Sequence, residues 1–205
     1  MSVADGPSVL VVEPRLEATS SGRSVGWWGT VGLVATEGML FALLLFGNFY
    51  LRARSPDWPQ GGIEKPELAM SAVRTVILLS STVPAVLAER AIRRGRRRRG
   101  AVCLAITILL GTLFLLGSAD EYRVLRDRFQ PSTNAYGSVF YTITGLHALH
   151  VAIGVMVLSF LLWRLLAGHY RGTRTQPVEN GILYWHFVDV VWVAVYTSLY
   201  LSVSL

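Results

Sequence analysis

The last apolar stretch of the chain opens on the segment Tyr184-Trp185-His186-Phe187-Val188-Asp189-Val190-Val191-Trp192. Membrane-spanning helices avoid charge, yet this one holds a histidine and an aspartate three residues apart among large aromatic side chains. Ionisable groups at membrane depth are costly unless they find partners, so they mark a function or a specific contact. The segment therefore predicts a membrane helix whose ionisable side chains either serve a function or contact a specific partner.

The composition of the whole chain agrees with a membrane protein. Of its 205 residues 52% are hydrophobic, and the mean hydropathy is +0.46. Five stretches are long enough to cross the roughly 30 Å of hydrocarbon, which takes about 20 helical residues. They cover residues 25–51, 70–88, 101–119, 136–166 and 182–205. The sequence thus predicts an all-α, polytopic membrane bundle of five transmembrane helices over residues 25–205. It also predicts a kink at Pro84 and a mobile N-terminal tail over residues 1–24.

The distribution of basic residues predicts how the bundle is oriented. The link Glu89–Arg99 is short and almost purely cationic, which favours the cytoplasmic side. The later link that holds Arg164, Arg171 and Arg174 belongs on the same side, whereas the other two loops mix both signs. The N-terminus is therefore expected in the cytoplasm and the C-terminus outside. The nearest partner of the cationic link is anionic lipid, and we expect no nucleic-acid binding.

Glu37 is the most deeply placed carboxyl group of the predicted spans. It lies about 16 Å from the predicted inner end near Gly26, at about 1.5 Å per residue, and so close to the midplane. A carboxyl group there should be neutral or paired. It serves either as a hydrogen-bonding group that joins helices or as a proton relay. The sequence leaves both interpretations open.

His147 and His150 lie three residues apart and therefore on one helix face. His147 is about 15 Å from the predicted outer end near Gly137, and so near the depth of Glu37. We hypothesise that one of the two histidines contacts Glu37. The alternative is a neutral histidine bonded to a backbone carbonyl or a lipid headgroup.

His186 and Asp189 are predicted in the first turns of the last span, where a carboxylate gains from the helix dipole. Tyr184, Trp185 and Trp192 fit an aromatic belt at the membrane interface.

The histidines do not predict a metal centre. A haem between His150 and His186 would have to bridge a predicted depth mismatch of about 16 Å. His147 and His150 could chelate one metal ion, but no Cys, Met or third His is evident at their level. Patterns for a phosphate loop, a nucleophile elbow or a zinc protease are also missing from the sequence. We therefore predict no catalytic residue and no metal site in this chain.

Several segments together, in this order, resemble subunit III of the haem-copper oxidases, the cytochrome c oxidase subunit III family. They cover almost all of the chain after the tail, and the segment 184–192 is the closest match. The others are Thr36-Glu37 with the apolar run after it, Leu79-Ser80-Ser81, Asp120-Glu121-Tyr122, Ala135–Tyr141 and Gly145–Val151. The chain departs from the family at Ala148, where Gly is common, and in its heavier arginine link. These departures leave room for a branch that serves a quinol oxidase or a nitric oxide reductase.

The resemblance implies the short, five-helix form of a non-catalytic subunit of an aerobic respiratory oxidase in the bacterial plasma membrane. Such a subunit packs on subunit I, holds phospholipids in a cleft between its helices, and supports proton uptake and sustained turnover. It carries no cofactor of its own, since haem and copper are in the partner subunits I and II. Glu37 matches the family's buried carboxyl group. The candidate polar partners and cleft residues are His147, His150, His186, Asp189, Glu121 and Trp192.

Two other classes of function remain open at this point. A proton-coupled transporter could use Glu37 and the histidines, but it predicts broken helices and a midplane site between repeats. Only Pro84 interrupts a predicted span. A purely architectural membrane protein would share the fold, and it predicts that Glu37→Gln leaves turnover unchanged.

Overall fold

The computed structural model describes residues 24–59, 68–168 and 175–202. The predicted tail over residues 1–24 lies outside this part of the chain except for Ser24. Five helical segments are long and apolar enough to cross a membrane, which confirms the predicted number of spans, and the described residues include no strand. The helices are α1 (Val25–Arg54), α2 (Leu68–Ser80), α3 (Thr82–Arg93), α4 (Arg97–Arg128), α5 (Ala135–Leu166) and α6 (Gln176–Tyr196), the last running into a π-helical turn (Thr197–Leu201). The chain is a multi-pass membrane protein.

The second span is broken into α2 and α3 at Ser81. Pro84 has no backbone N–H, so the carbonyl group of Ser80 lacks its usual helical donor. The N–H of Ser81 bonds back to Leu78 at 3.0 Å, and the regular pattern resumes when Ala85 N–H bonds to the Ser81 carbonyl at 3.2 Å. The interruption predicted from Pro84 is therefore present, one turn before the proline.

The helices extend further than the predicted spans. The helix predicted over residues 101–119 is α4, and it runs from Arg97 to Arg128, so residues predicted in the following loop are helical. The last helix begins at Gln176 rather than at residue 182, with a proline in its first turn. Arginine and glutamate favour helix, and charged turns can project beyond the hydrocarbon. Helix ends therefore need not coincide with the ends of apolar runs.

The cationic link between α3 and α4 is shorter than predicted. Gly95 takes a φ of 71°, and the N–H of Arg96 bonds to the Ala91 carbonyl at 2.8 Å. This is the usual glycine-based end of a helix. Because α4 starts at Arg97, only three residues separate the helices. We call the end of the bundle that carries this link the arginine end.

The bundle is organised around α6, which packs against α1, α2, α3 and α5. Trp185 of α6 is fully buried. A methyl group added at Gly111 of α4 would lie 2.5 Å from this indole, and one at Gly154 of α5 would lie 2.8 Å from it. These two glycines allow α4 and α5 to close on the ring. The predicted aromatic belt is thus wrong for Trp185 and for the buried Trp192, because α6 is central rather than peripheral.

Candidate functional site

Glu37 of α1 contacts α5 within the membrane-spanning part of the bundle. Its Oε2 lies 3.1 Å from Nε2 of His150. Phe41, one turn along α1, packs edge-on against the same imidazole at 5.1 Å between ring centroids. The contact expected between Glu37 and one of the two histidines is therefore present, and it is made by His150.

The hydrogen bonds of His150 determine how many protons the pair holds. Its Nδ1 lies 2.8 Å from the carbonyl oxygen of Leu146. A carbonyl oxygen only accepts, so Nδ1 carries a proton. A hydrogen bond to Glu37 then needs one more proton, either on Nε2 or on the carboxyl group. Both arrangements have zero net charge, which suits a low-dielectric environment. The pair can therefore move a proton between its two members without creating net charge.

His147 lies in a cage of aromatic rings and makes no comparable contact. Its imidazole is fully buried, with Trp192 at 4.8 Å, Phe114 at 5.8 Å and Phe41 at 6.3 Å between ring centroids. Neither ring nitrogen has a hydrogen-bond partner among the described residues. The expected bond from a histidine to a backbone carbonyl is thus found for His150 and not for His147.

We expect His147→Phe to raise the stability of the bundle by about 1–3 kcal/mol, because it removes two buried nitrogens that lack partners. The measurement is thermal unfolding of the detergent-solubilised protein. His150→Phe is the matched control, and it should lower stability because it leaves Glu37 without its partner. If both variants lose stability equally, His147 makes a polar contact of similar worth.

Three side chains of α6 form hydrogen bonds to the broken second span. They are spaced so that they share one face of the helix. Trp185 Nε1 donates to Ser81 Oγ at 2.9 Å, Thr82 Oγ1 donates to Asp189 Oδ2 at 2.6 Å, and Trp192 Nε1 donates to Thr75 Oγ1 at 3.0 Å. Each contact joins α6 to α2, to α3 or to the break between them.

The expected role of the helix dipole at Asp189 is wrong. Because α6 begins at Gln176, Asp189 lies roughly thirteen residues, about 20 Å, into the helix. Thr82 instead donates a hydrogen bond to Oδ2 of Asp189, and His186 Nδ1 lies 3.9 Å from the same oxygen. Thr82 could not be recognised as the partner from the sequence, since threonine is common in membrane helices.

The earlier start of α6 also changes the comparison of histidine depths. His186 lies about 15 Å from the start of α6, and His150 lies about 24 Å from the C-terminal end of α5. The difference in depth between the two histidines is therefore about 9 Å rather than the predicted 16 Å. Nε2 of His150 is engaged by Glu37. Within the described ranges, no group of three or more His, Cys, Asp and Glu side chains comes close enough together to hold a metal ion.

A buried ion pair joins α2, α4 and the π-helical turn near the end opposite the arginine end. Arg74 Nη2 donates to Glu121 Oε1 at 2.5 Å, and Arg74 Nη1 donates to the Gly117 carbonyl at 3.2 Å. Tyr200 donates to the other carboxylate oxygen of Glu121 at 3.0 Å. Glu121, a candidate site residue, is helical rather than in a loop. Arg74 was missed, although an arginine inside a predicted span signals a buried partner.

The fold and these contacts define a class of protein: a polytopic membrane bundle in which buried Arg74, His150 and Asp189 each bond to a polar side chain of another helix. The family model for cytochrome c oxidase subunit III matches residues 19–204. The chain is 38% identical over 190 residues to cytochrome c oxidase subunit 3 of Emericella nidulans, covering 89% of this chain and 68% of the relative. It is 35% identical to the Synechocystis protein of that name, covering 85% and 74%, and 33% identical to that of Thermostichus vulcanus, covering 84% and 85%.

The chain belongs to the cytochrome c oxidase subunit III family. It spans about two thirds of the length of the fungal relatives that it matches, for example 65% of the Podospora anserina protein. The resemblance seen in the sequence segments is therefore confirmed.

Proposed function

We propose that this chain is a non-catalytic subunit of an aerobic respiratory haem-copper oxidase in a bacterial plasma membrane, with the arginine end in the cytoplasm. The family match over residues 19–204 carries this proposal. In it, subunits I and II hold the haem and copper, and this chain packs on subunit I. The two cyanobacterial relatives are covered more completely than the fungal ones, which favours the bacterial form.

The outer surface of α1 supports a role in holding phospholipid. This helix packs on α5 and α6, and its remaining side is apolar and exposed. The exposed side chains include Leu33, Met39, Leu43, Phe46 and Phe49. Apolar surface of this extent needs lipid tails or a partner helix against it. We place the proposed lipid cleft beside α1, with the Glu37–His150 pair at its wall.

The Glu37–His150 pair supports the proposed contribution to proton uptake. It lies between α1 and α5, with His150 buried and the Glu37 side chain 29% exposed, and it can hold its shared proton on either member. It stands beside the catalytic subunit in this proposal and takes no part in reducing oxygen. Its effect on turnover is therefore electrostatic and should be partial.

We expect Glu37→Gln to lower the oxygen-consumption rate of the assembled oxidase modestly and to shorten the time over which activity is sustained. The amide keeps the shape but cannot share a proton with His150. The measurement is oxygen uptake by the purified complex, followed to exhaustion. Glu89→Gln is the matched control, because that carboxylate pairs with Arg93 on the surface at 3.3 Å.

Two outcomes would count against this assignment of roles. Complete loss of oxygen reduction in an assembled complex would make Glu37 part of the catalytic path. Turnover identical to that of the Glu89→Gln control, in rate and in duration, would leave the chain purely architectural.

A further inference from the structure

The hairpin of α3 and α4 forms a groove of about 680 Å³ at the arginine end. Its polar lining consists of arginines only: Arg90, Arg94, Arg96, Arg98 and Arg99. Its remaining wall is apolar and includes Leu87 and Val102, which are 47% and 54% exposed. The groove therefore combines a cationic rim with an apolar side.

The charge of this rim is not neutralised within the described part of the chain. None of its five arginines forms an ion pair with a carboxylate of the described residues. The nearby acid Glu89 bonds Arg93 instead, and Arg93 also faces Glu179 at 3.8 Å. Like charges held this close repel one another. An anionic ligand would relieve the repulsion and would be bound for that reason.

The backbone of the hairpin adds to the positive field. Arg98 and Arg99 of the rim lie in the first turn of α4, and this turn contains no acidic residue. Arg96 occupies the N-cap position, and a guanidinium group offers no acceptor for the N–H groups of that turn. The partial positive charge of a helix N-terminus thus adds to the arginine side chains.

We infer that this groove binds an anionic phospholipid, with the phosphate among the arginines and an acyl chain along Leu87 and Val102. Guanidinium groups bind phosphate through paired hydrogen bonds. The apolar wall leads from the rim toward the spanning parts of α3 and α4, where lipid tails lie. An acidic protein segment or a nucleic acid would use the rim but not this wall. The site is separate from the cleft beside α1, and it rests on membrane insertion alone rather than on the proposed oxidase.

The test is native mass spectrometry of the full-length protein, titrated with phosphatidylglycerol and, in parallel, with phosphatidylcholine. Wild type should retain phosphatidylglycerol preferentially. The triple variant Arg94→Gln, Arg96→Gln, Arg98→Gln should bind it about tenfold more weakly or worse, since each basic residue near an anionic lipid contributes substantially. The matched control is Arg54→Gln, Arg123→Gln, Arg126→Gln, which removes the same charge at the other end and should leave the preference intact.

A variant with lysine at the same three positions controls for a failure of membrane insertion. It keeps the charge and should keep most of the preference for phosphatidylglycerol. The inference is overturned if wild type binds both lipids equally, or if the two glutamine triples lose binding equally. It is also overturned if inorganic phosphate displaces the lipid at comparable concentration, since the groove would then be a simple anion site. A preference for phosphatidylglycerol that survives in the glutamine triple overturns it as well.

Discussion

Replacing Trp185 with alanine is expected to lower the stability of the bundle by about 3–5 kcal/mol, the usual cost of truncating a buried tryptophan. The indole is fully buried, donates to Ser81 at 2.9 Å, and fills the space that Gly111 and Gly154 leave open. Its loss would leave a cavity where α4, α5 and α6 meet and an unpaired hydroxyl group at the break of the second span.

Thermal unfolding in detergent measures this loss. Trp28→Ala is the control, because Trp28 is 62% exposed, and it should change stability little. The glycines provide a second check. Gly111→Ala should destabilise the wild type, because the new methyl group would lie 2.5 Å from the indole, but should be tolerated in Trp185→Ala. Equal effects of Trp185→Ala and Trp28→Ala would show that the centre of the bundle lies elsewhere.

Removing the carboxylate of Glu121 is expected to cost about 3–5 kcal/mol, because it leaves a buried guanidinium group without its partner. Arg74 is only 7% exposed, and the described residues offer it no other carboxylate within 4.0 Å. We therefore expect Glu121→Ala to reduce the folded yield and the unfolding temperature together.

The paired change separates the charge effect from loss of packing. Arg74→Met combined with Glu121→Leu removes both charges, and it should cost less than Glu121→Ala alone. Glu89→Ala breaks a surface ion pair instead and should cost below about 1 kcal/mol. If the double variant is less stable than Glu121→Ala, the ion pair is not what holds α2 to α4.

The number of spans and the contact of Glu37 were within reach of the sequence. Apolar runs report directly on how many helices cross the membrane. Depth can be counted from each predicted helix end, and this count predicts Glu37 at about the depth of His147. The choice of His150 over His147 depends on the rotation of α5 about its own axis, which a spacing of three residues does not specify.

Other features depend on tertiary packing and could not be predicted in this way. Hydropathy marks apolar windows rather than helix ends, so the predicted spans are shorter than α4 and α6, and Asp189 is predicted too close to the start of its helix. Tryptophans suit a membrane interface and a bundle core equally well in sequence, so the central position of Trp185 depends on α6 being the helix that the others surround. The position of Arg74 inside an apolar span does indicate a buried carboxylate partner, and this partner could have been predicted from the sequence.

The central claim is that this chain is a subunit of an oxidase and carries no redox centre itself. The most direct measurement is affinity purification through a tag on this chain from its native membrane, followed by an optical spectrum, a metal analysis and a list of the chains recovered. We expect haem-bearing chains to co-purify, a haem spectrum from the complex, and neither iron nor copper in this chain after separation. Recovery without any haem protein, stoichiometric metal held by the separated chain, or proton transport by the chain alone in vesicles would contradict the account.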